Sequence, residues 1–171
     1  MTFAVRPARP AELAQVGALT AEAYRVDGLL DDPELPTEAT YEEKLLDAAR
    51  RAREAELWVA ADEDGTVLGT VTWCPTGSPW RQLALADHQA EFRMLSVASA
   101  GRRRGIARAL VEACLDRARL DGMTEVVIWS HPRMLGAHAL YDRMGFERAY
   151  DLDGSPVPGV YLWGFRLALQ P

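Results

Sequence analysis

The sequence predicts a mixed α/β domain with a mostly antiparallel central sheet flanked by helices. Three observations predict it. Short apolar or alternating runs, such as Glu125–Ser130 and Val160–Leu169, are interleaved with segments whose apolar residues recur every three or four positions. Asp62-Glu-Asp-Gly-Thr66 separates two strand-like runs and marks a hairpin, which makes those strands antiparallel. A long helical segment lies between strands at Ala90–Val97 and Glu125–Ser130, and such a crossover makes that pair parallel and right-handed. With 171 residues, 49% hydrophobic and 26% charged, the chain is expected to form a single domain over 1–171.

Thr2–Arg6 reads as a first strand. After Pro7 and Pro10, the spacing of Leu13, Val16, Leu19 and Tyr24 predicts a helix. Val26–Thr40, rich in Asp and Pro, is expected to be a loop, and Tyr41–Ala55 a second helix. Strands Leu57–Ala61 and Val67–Trp73 flank the Asp-Gly turn. Cys74–His88 is a long connection with Pro75, Gly77 and Pro79, a length that points to function.

Strand Ala90–Val97 leads into the main helix, Arg104–Leu120. Ile106, Leu110, Val111, Cys114, Leu115 and Ala118 give that helix one apolar face, and Asp121-Gly122 ends it. Glu125–Ser130 is a strand rich in β-branched residues, Met134–Met144 a further helix closed by Gly145. Strands Phe146–Tyr150 and Val160–Leu169 complete the chain around a turn at Asp153-Gly-Ser-Pro156.

The net charge of −6 argues against nucleic acid as a partner. Met1–Arg6 lacks the apolar core of a signal peptide, and no apolar run approaches the roughly 20 residues that span a bilayer. A cytoplasmic location without a membrane partner is expected. Cys74 and Cys114 are too few for a disulfide framework, and no His/Cys/Asp grouping has metal-ligand spacing, so no metal is expected.

The most informative stretch runs from Glu91-Phe-Arg-Met-Leu-Ser-Val97 to Arg102-Arg103-Arg104-Gly105-Ile106-Ala107. An apolar strand passes through a small-residue loop into three arginines and a glycine, where a helix starts at once. The first turn of a helix carries N–H donors without partners and the positive end of its dipole, which suits a diphosphate. No Gly-Lys-Ser/Thr follows, so this is not a P-loop, and the dinucleotide fingerprint is absent as well. What is present is Arg-x-x-Gly-x-Ala at Arg102, Gly105 and Ala107.

That motif, together with Leu140-Tyr141-Asp142-Arg143-Met144-Gly145-Phe146, resembles the GCN5-related N-acetyltransferase (GNAT) superfamily, whose hallmarks are Arg/Gln-x-x-Gly-x-Gly/Ala after a strand and Leu-Tyr-x-x-x-Gly-Phe. Element order matches over most of the chain. The resemblance implies the acyl-CoA N-acyltransferase fold, with a V-shaped splay between the strands at 90–97 and 125–130, and acetyl-CoA as co-substrate. It implies that the main chain of Leu95, Ser96 and Val97 pairs with the pantetheine arm. Amides from Arg103 to Arg108 would cradle the pyrophosphate, with the Arg102, Arg103, Arg104 and Arg108 side chains adding charge. Tyr141 would be the general acid and Glu91 the general base, at the position used by the histone-acetylating branch. Many members carry an asparagine where this chain has Met134, which cannot replace an amide.

The base is open among Glu91, His88, His131, His138 and water. Transfer of acetyl to a primary amine by direct attack in a ternary complex is the favoured function. A non-catalytic acyl-CoA-binding or sensor module is the alternative. The acceptor is expected to be a small-molecule amine in preference to a protein N-terminus or lysine. Asp27, Asp31, Asp32, Glu34 and Glu38 either attract a cationic amine or form an ordinary soluble loop. Trp73, Trp80 and Trp129 either line the acceptor pocket or belong to the core. Tyr161, Trp163 and Phe165, alternating on the last strand, are candidates for a homodimer surface.

Overall fold

The computed structural model describes residues 2–30 and 39–170. Eight strands form the sheet: β1 (Phe3–Pro7), β2 (Glu56–Asp62), β3 (Val67–Cys74), β4 (Gln89–Val97), β5 (Glu125–Ser130), β6 (Glu147–Arg148), β7 (Gly154–Val157) and β8 (Val160–Ala168). Their spatial order is β1-β2-β3-β4-β5-β8-β6, with β7 paired to β8. Only β4 and β5 are parallel, as their crossover through α4 (Ile106–Leu120) requires. The remaining pairs are antiparallel.

Helices cover both faces. Trp58 and Ala60 face α4 in the main core with Leu110, Val111 and Cys114. Leu57 and Val59 point the other way, onto Val16 of α1 (Leu13–Val26). This is the period-two alternation of a strand buried on both sides. Each fully buried Leu, Ile or Val contributes roughly 1.5–3 kcal/mol over exposure. Gly69 on β3 lets α4 lie close: a Cβ there would meet Ile106 Cγ2 at 2.6 Å and Leu110 Cδ1 at 3.1 Å.

Three expectations are corrected. The helix expected over Tyr41–Ala55 is two, α2 (Ala39–Leu46) and α3 (Ala48–Glu54), because the Asp47 side chain caps the second by accepting from Arg50 N at 2.9 Å. The strand expected over Phe146–Tyr150 shrinks to Glu147–Arg148, followed by a 3-10 turn at Tyr150–Leu152. The turn expected at Asp153–Pro156 is strand β7, and the reversal falls at Gly159, with φ 84°. Proline is tolerated in β7 because its outer side has no neighbouring strand among the described residues.

Asp153 fixes that hairpin. Its carboxylate takes both terminal nitrogens of Arg148 at 2.6 Å, Gly164 N–H at 2.9 Å and the Tyr161 hydroxyl at 3.2 Å. The Arg148 guanidinium holds the carboxyl down to about 2. Arg148 also lies over Trp163, 4.8 Å from its ring centroid, and Phe165 is buried. The aromatic face named for a homodimer is therefore covered by the chain's own side chains, leaving Tyr161 exposed. No helix among the described residues is long and apolar enough to cross a membrane.

Candidate active site

The site grows out of the way β4 leaves its neighbours. β4 pairs with β5 only through Gln89↔Glu125, Ala90↔Val126 and Glu91↔Val127, and beyond that register the two strands diverge. On its other side β4 follows β3, but Thr70 faces Ser96 while Thr72 faces Arg93, so Met94 and Leu95 together oppose one residue. Met94 takes φ 55° at this bulge. A bulge re-aims side chains and bends the strand, and a left-handed non-glycine costs on the order of 1 kcal/mol or more. Beyond Glu91, the edge of β4 that faces the splay has no strand partner among the described residues.

Downstream, the chain turns through Ser99–Gly101 and enters α4 with Gly105 as N-cap, at φ 76°. Arg103 also has positive φ, 60°. A side chain at Gly105 would meet no atom within 4 Å, so this glycine is required by its backbone conformation and leaves open space in front of the helix. The first intrahelical bond is Ala109 N–H to Gly105 O at 3.0 Å. Amides of Ile106, Ala107 and Arg108 thus have no carbonyl one turn back. Ile106 buries its side chain in the core while Arg102, Arg103 and Arg108 are exposed. Arg108 spends its Nε on Glu112 at 2.8 Å. These features fit a diphosphate: open space, free donors and positive charge at one helix end.

Tyr141 is placed by the end of α5 (Leu135–Arg143). Gly145 takes φ 89°, its N–H returns to Asp142 O at 3.0 Å, and Phe146 N–H returns to Tyr141 O at 2.9 Å. That is a Schellman cap, with the ring of Phe146 5.4 Å from that of Tyr141. Leu-Tyr-x-x-x-Gly-Phe is therefore a capping device that fixes the tyrosine. Tyr141 is buried among Phe92, Phe146 and Phe165, and burial pushes its phenol well up, so it holds its proton.

A cavity of about 290 Å³ opens beside Met94, and no residue from Arg102 to Arg108 lines it. Tyr24, Tyr41 and Lys44 form one wall, Trp80 and Arg93 another, and Ser130 with His131 the end of β5. Pro156, Val157 and Leu162 of the β7–β8 hairpin close it. Of the three tryptophans considered, Trp80 and Trp129 line this cavity and Trp73 is core. The Cys74–His88 connection reaches it through Pro79, Trp80 and Gln82. Of the acidic residues in the 26–40 segment, Asp27 is exposed, and Asp31, Asp32, Glu34 and Glu38 lie outside the described residues.

Glu91 does not have the surroundings expected of a base. It is 1% exposed, and its Oε2 accepts three main-chain N–H groups, from Gln82 at 2.9 Å, Leu83 at 2.8 Å and Ala84 at 3.1 Å. The carboxylate anchors the β3–β4 connection beneath the cavity wall. His88 sits at the closed end of the β4–β5 pair, 3.9 Å from Glu125. His131 lines the cavity, but its Nδ1 accepts Arg133 N–H at 3.2 Å, which in the neutral ring leaves the proton on Nε2 and no free lone pair.

His138 is different. Its Nε2 lies 3.1 Å from Ser130 Oγ, and its ring also bonds the main chain of His131. Ser130 Oγ is 3.7 Å from Met134 Sδ, so the methionine packs on this pair. The His138 ring stacks on Trp163 with centroids 5.4 Å apart, and burial lowers its pKa below the usual imidazole value. Sequence reasoning named His138 but not its partner, nor the cavity residues Tyr24, Tyr41, Lys44 and Arg93. Signals were there: Arg93 interrupts an apolar strand, and Lys44 is the sole lysine of the chain. The bulge at Met94 had none. Both cysteines are free and buried, with their thiols pushed up by burial.

Residues 21–146 match the family model described as the acetyltransferase (GNAT) family, and the chain belongs to that family. Human N-acetyltransferase 8 is 38% identical over 91 residues, covering 53% of this chain and 38% of that protein. N-acetylaspartate synthetase of Danio rerio is 32% identical over 103 residues, 60% of this chain and 33% of that protein. The chain thus matches well under half the length of these curated relatives. A GNAT-family acetyltransferase from Staphylococcus aureus superposes with a TM-score of 0.75 at 10% identity, covering 99% of this chain and 100% of the other. The yncA acetyltransferase of Salmonella typhimurium, solved with acetyl-CoA, gives 0.66 at 19% identity, covering 100% and 96%. The mixed sheet expected from the sequence is thus the acyl-CoA N-acyltransferase fold.

Proposed function

We propose that this chain transfers the acetyl group of acetyl-CoA to the primary amine of a small-molecule acceptor by direct attack in a ternary complex. The observation that supports this reading is the position of Met94. It lines the acceptor-side cavity, and the chain that follows it runs along the splay to the open helix end at Gly105. Leu95, Ser96 and Val97 would hold the pantetheine arm by their main chain. Arg102 to Arg108 would hold the diphosphate, and acetyl-CoA would supply the thioester.

The amine nitrogen forms a bond to the acetyl carbon, the C–S bond breaks, the sulfur takes one proton and the nitrogen gives one up. Main-chain N–H groups at the bulge would steady the negative charge that develops on the carbonyl oxygen. Tyr141 keeps its proton in its buried site and would give it to the departing sulfur. A thiol of pKa about 8.5 leaves fairly well unaided, so this help is useful and not indispensable.

An alkyl amine of pKa about 10.4 is neutral only to a few parts in ten thousand at pH 7, so its proton needs a destination. Ser130 and His138 would take it. Ser130 lines the cavity, and its hydroxyl would turn from Met134 Sδ to donate to His138 Nε2, from which half-buried His138 would pass the proton to water. Glu91 then serves as a positioning residue. The test is calorimetry with acetyl-CoA followed by thiol release against a panel of amines. Binding with turnover is expected. Binding without turnover on any amine would return the chain to the sensor reading, and no binding would remove both.

A further inference from the structure

We infer that the acceptor is an amine carrying an anionic group, of amino-acid type, whose carboxylate docks against Arg93 and Lys44. The inference rests on the transferase reading above and names its substrate class.

Although the chain is acidic overall, the described residues that line the cavity include Lys44, Arg50 and Arg93 against one carboxylate, Glu54. Glu54 is already committed: it accepts the Trp80 indole N–H at 2.9 Å and pairs with Arg50 Nε at 3.0 Å. Glu91, behind the wall, spends one oxygen on three amides and keeps the other 4.0 Å from Arg93 Nε. Arg93 Nη1 donates to Trp80 O at 3.1 Å, while its Nη2 has no hydrogen-bond partner among the described residues. Lys44 has no ion-pair partner among the described residues.

Beside Arg93 stand Tyr24 and Tyr41, with their rings 5.9 Å apart, edge to face. Arg51 lies behind them, fully buried, bound to Thr72, Thr20 and the Leu45 carbonyl and to no carboxylate among the described residues. The inner wall therefore offers an unfilled guanidinium donor, an ammonium and phenol hydroxyls. A neutral or purely cationic amine would leave Arg93 Nη2 without an acceptor and Lys44 without a counter-charge among the described residues. A carboxylate would satisfy them, leaving the amine of the same small molecule free to reach the bulge at Met94.

The test uses matched pairs: proteinogenic amino acids, together with phosphonate and phosphinate analogues, each against its decarboxylated or amidated counterpart. Binding is measured by calorimetry on the protein saturated with CoA, where no turnover occurs, and acetylation is measured by thiol release. At least one anion-bearing member is expected to bind roughly 30-fold or more tighter than its neutral counterpart. That ratio is expected to fall about tenfold or more in Arg93→Gln and several-fold in Lys44→Gln. Arg93→Gln also loses a bond to Trp80 O, so the exposed Lys44, which has no ion-pair partner among the described residues, provides the second variant. Which anion wins separates carboxylate from phosphorus acids.

Neutral counterparts binding as well or better, no anion-bearing amine binding, or a ratio unchanged in both variants would overturn the inference. Acetylation of neutral amines only would overturn it and leave the transferase reading standing. Tight binding of an anionic amine that is never acetylated would do the reverse.

Discussion

The two sides of the splay are built from different materials. The side proposed for the diphosphate is main chain: a glycine at φ 76°, a left-handed arginine and the open end of α4, all within one continuous stretch. The side proposed for the acceptor is side chain, gathered from α1, α2, the β3–β4 connection, β4, β5 and the β7–β8 hairpin. A surface of backbone donors tolerates many side chains and demands a few special residues. A surface of side chains demands particular residues and few special conformations. The first is legible as a motif and the second is not.

The sharpest way to break this contrast is Gly105→Glu. Space is open there, so the protein should stay folded at a cost of about 1–2 kcal/mol for the left-handed backbone. A like charge facing a diphosphate should weaken acetyl-CoA by roughly 100-fold or more in calorimetry. Binding within a few-fold of wild type would mean the backbone side is not where the nucleotide sits. Tyr141→Phe tests the seam between the two sides. Turnover should fall roughly 10- to 100-fold with acetyl-CoA affinity kept, and an unchanged kcat would remove the acid role.

Glu91 separates base from anchor. Glu91→Gln keeps an acceptor oxygen for the three amides and should hold kcat within a few-fold. Glu91→Ala leaves buried donors unsatisfied and should cost about 2–4 kcal/mol in thermal unfolding. A kcat loss of about a hundredfold or more in Glu91→Gln, with stability intact, would restore the base.

The Ser130–His138 pair makes a smaller, pH-dependent prediction. Burial lowers the His138 pKa, so the ring is neutral and able to accept at pH 7. Turnover should fall as pH drops through that lowered value. Arg148 and His131 face the ring as further charged or titratable groups. Ser130→Ala should flatten that acidic limb more than it lowers the plateau, and a limb unchanged in Ser130→Ala and His138→Gln would end the assignment. Smallest is Asp153, held at about 2 by Arg148 against an unfolded value near 3.9. Its stabilisation is complete above about pH 4 and lost as pH falls toward 2. Asp153→Asn should cost on the order of 1 kcal/mol at neutral pH, since solvent reaches the pair, and remove that acid sensitivity in thermal melts.

The fold was legible wherever one element carried its own signal. Glu125–Ser130 matches its expected bounds, and Gly145-Phe146 announced the cap that holds Tyr141. It was illegible where a distant residue decides. Gly-Ser-Pro reads locally as a turn, yet β8 and the Asp153–Arg148 pair draw it into a strand. Asp47 reads as one more polar helix residue until its side chain caps Arg50. Likewise Arg93 was one charged residue in a strand until Tyr24, Tyr41 and Trp80 closed around it.

The β7–β8 hairpin supplies a wall of the acceptor cavity yet lies beyond residues 21–146, the part that matches the family model. On the proposed function, grafting another hairpin would change acceptor choice while leaving the loop at Gly105 as it is. Any such transplant must respect the β5–β8 register that sets Trp163 opposite Ser130, because the strand that presents the graft also pairs with the end of β5.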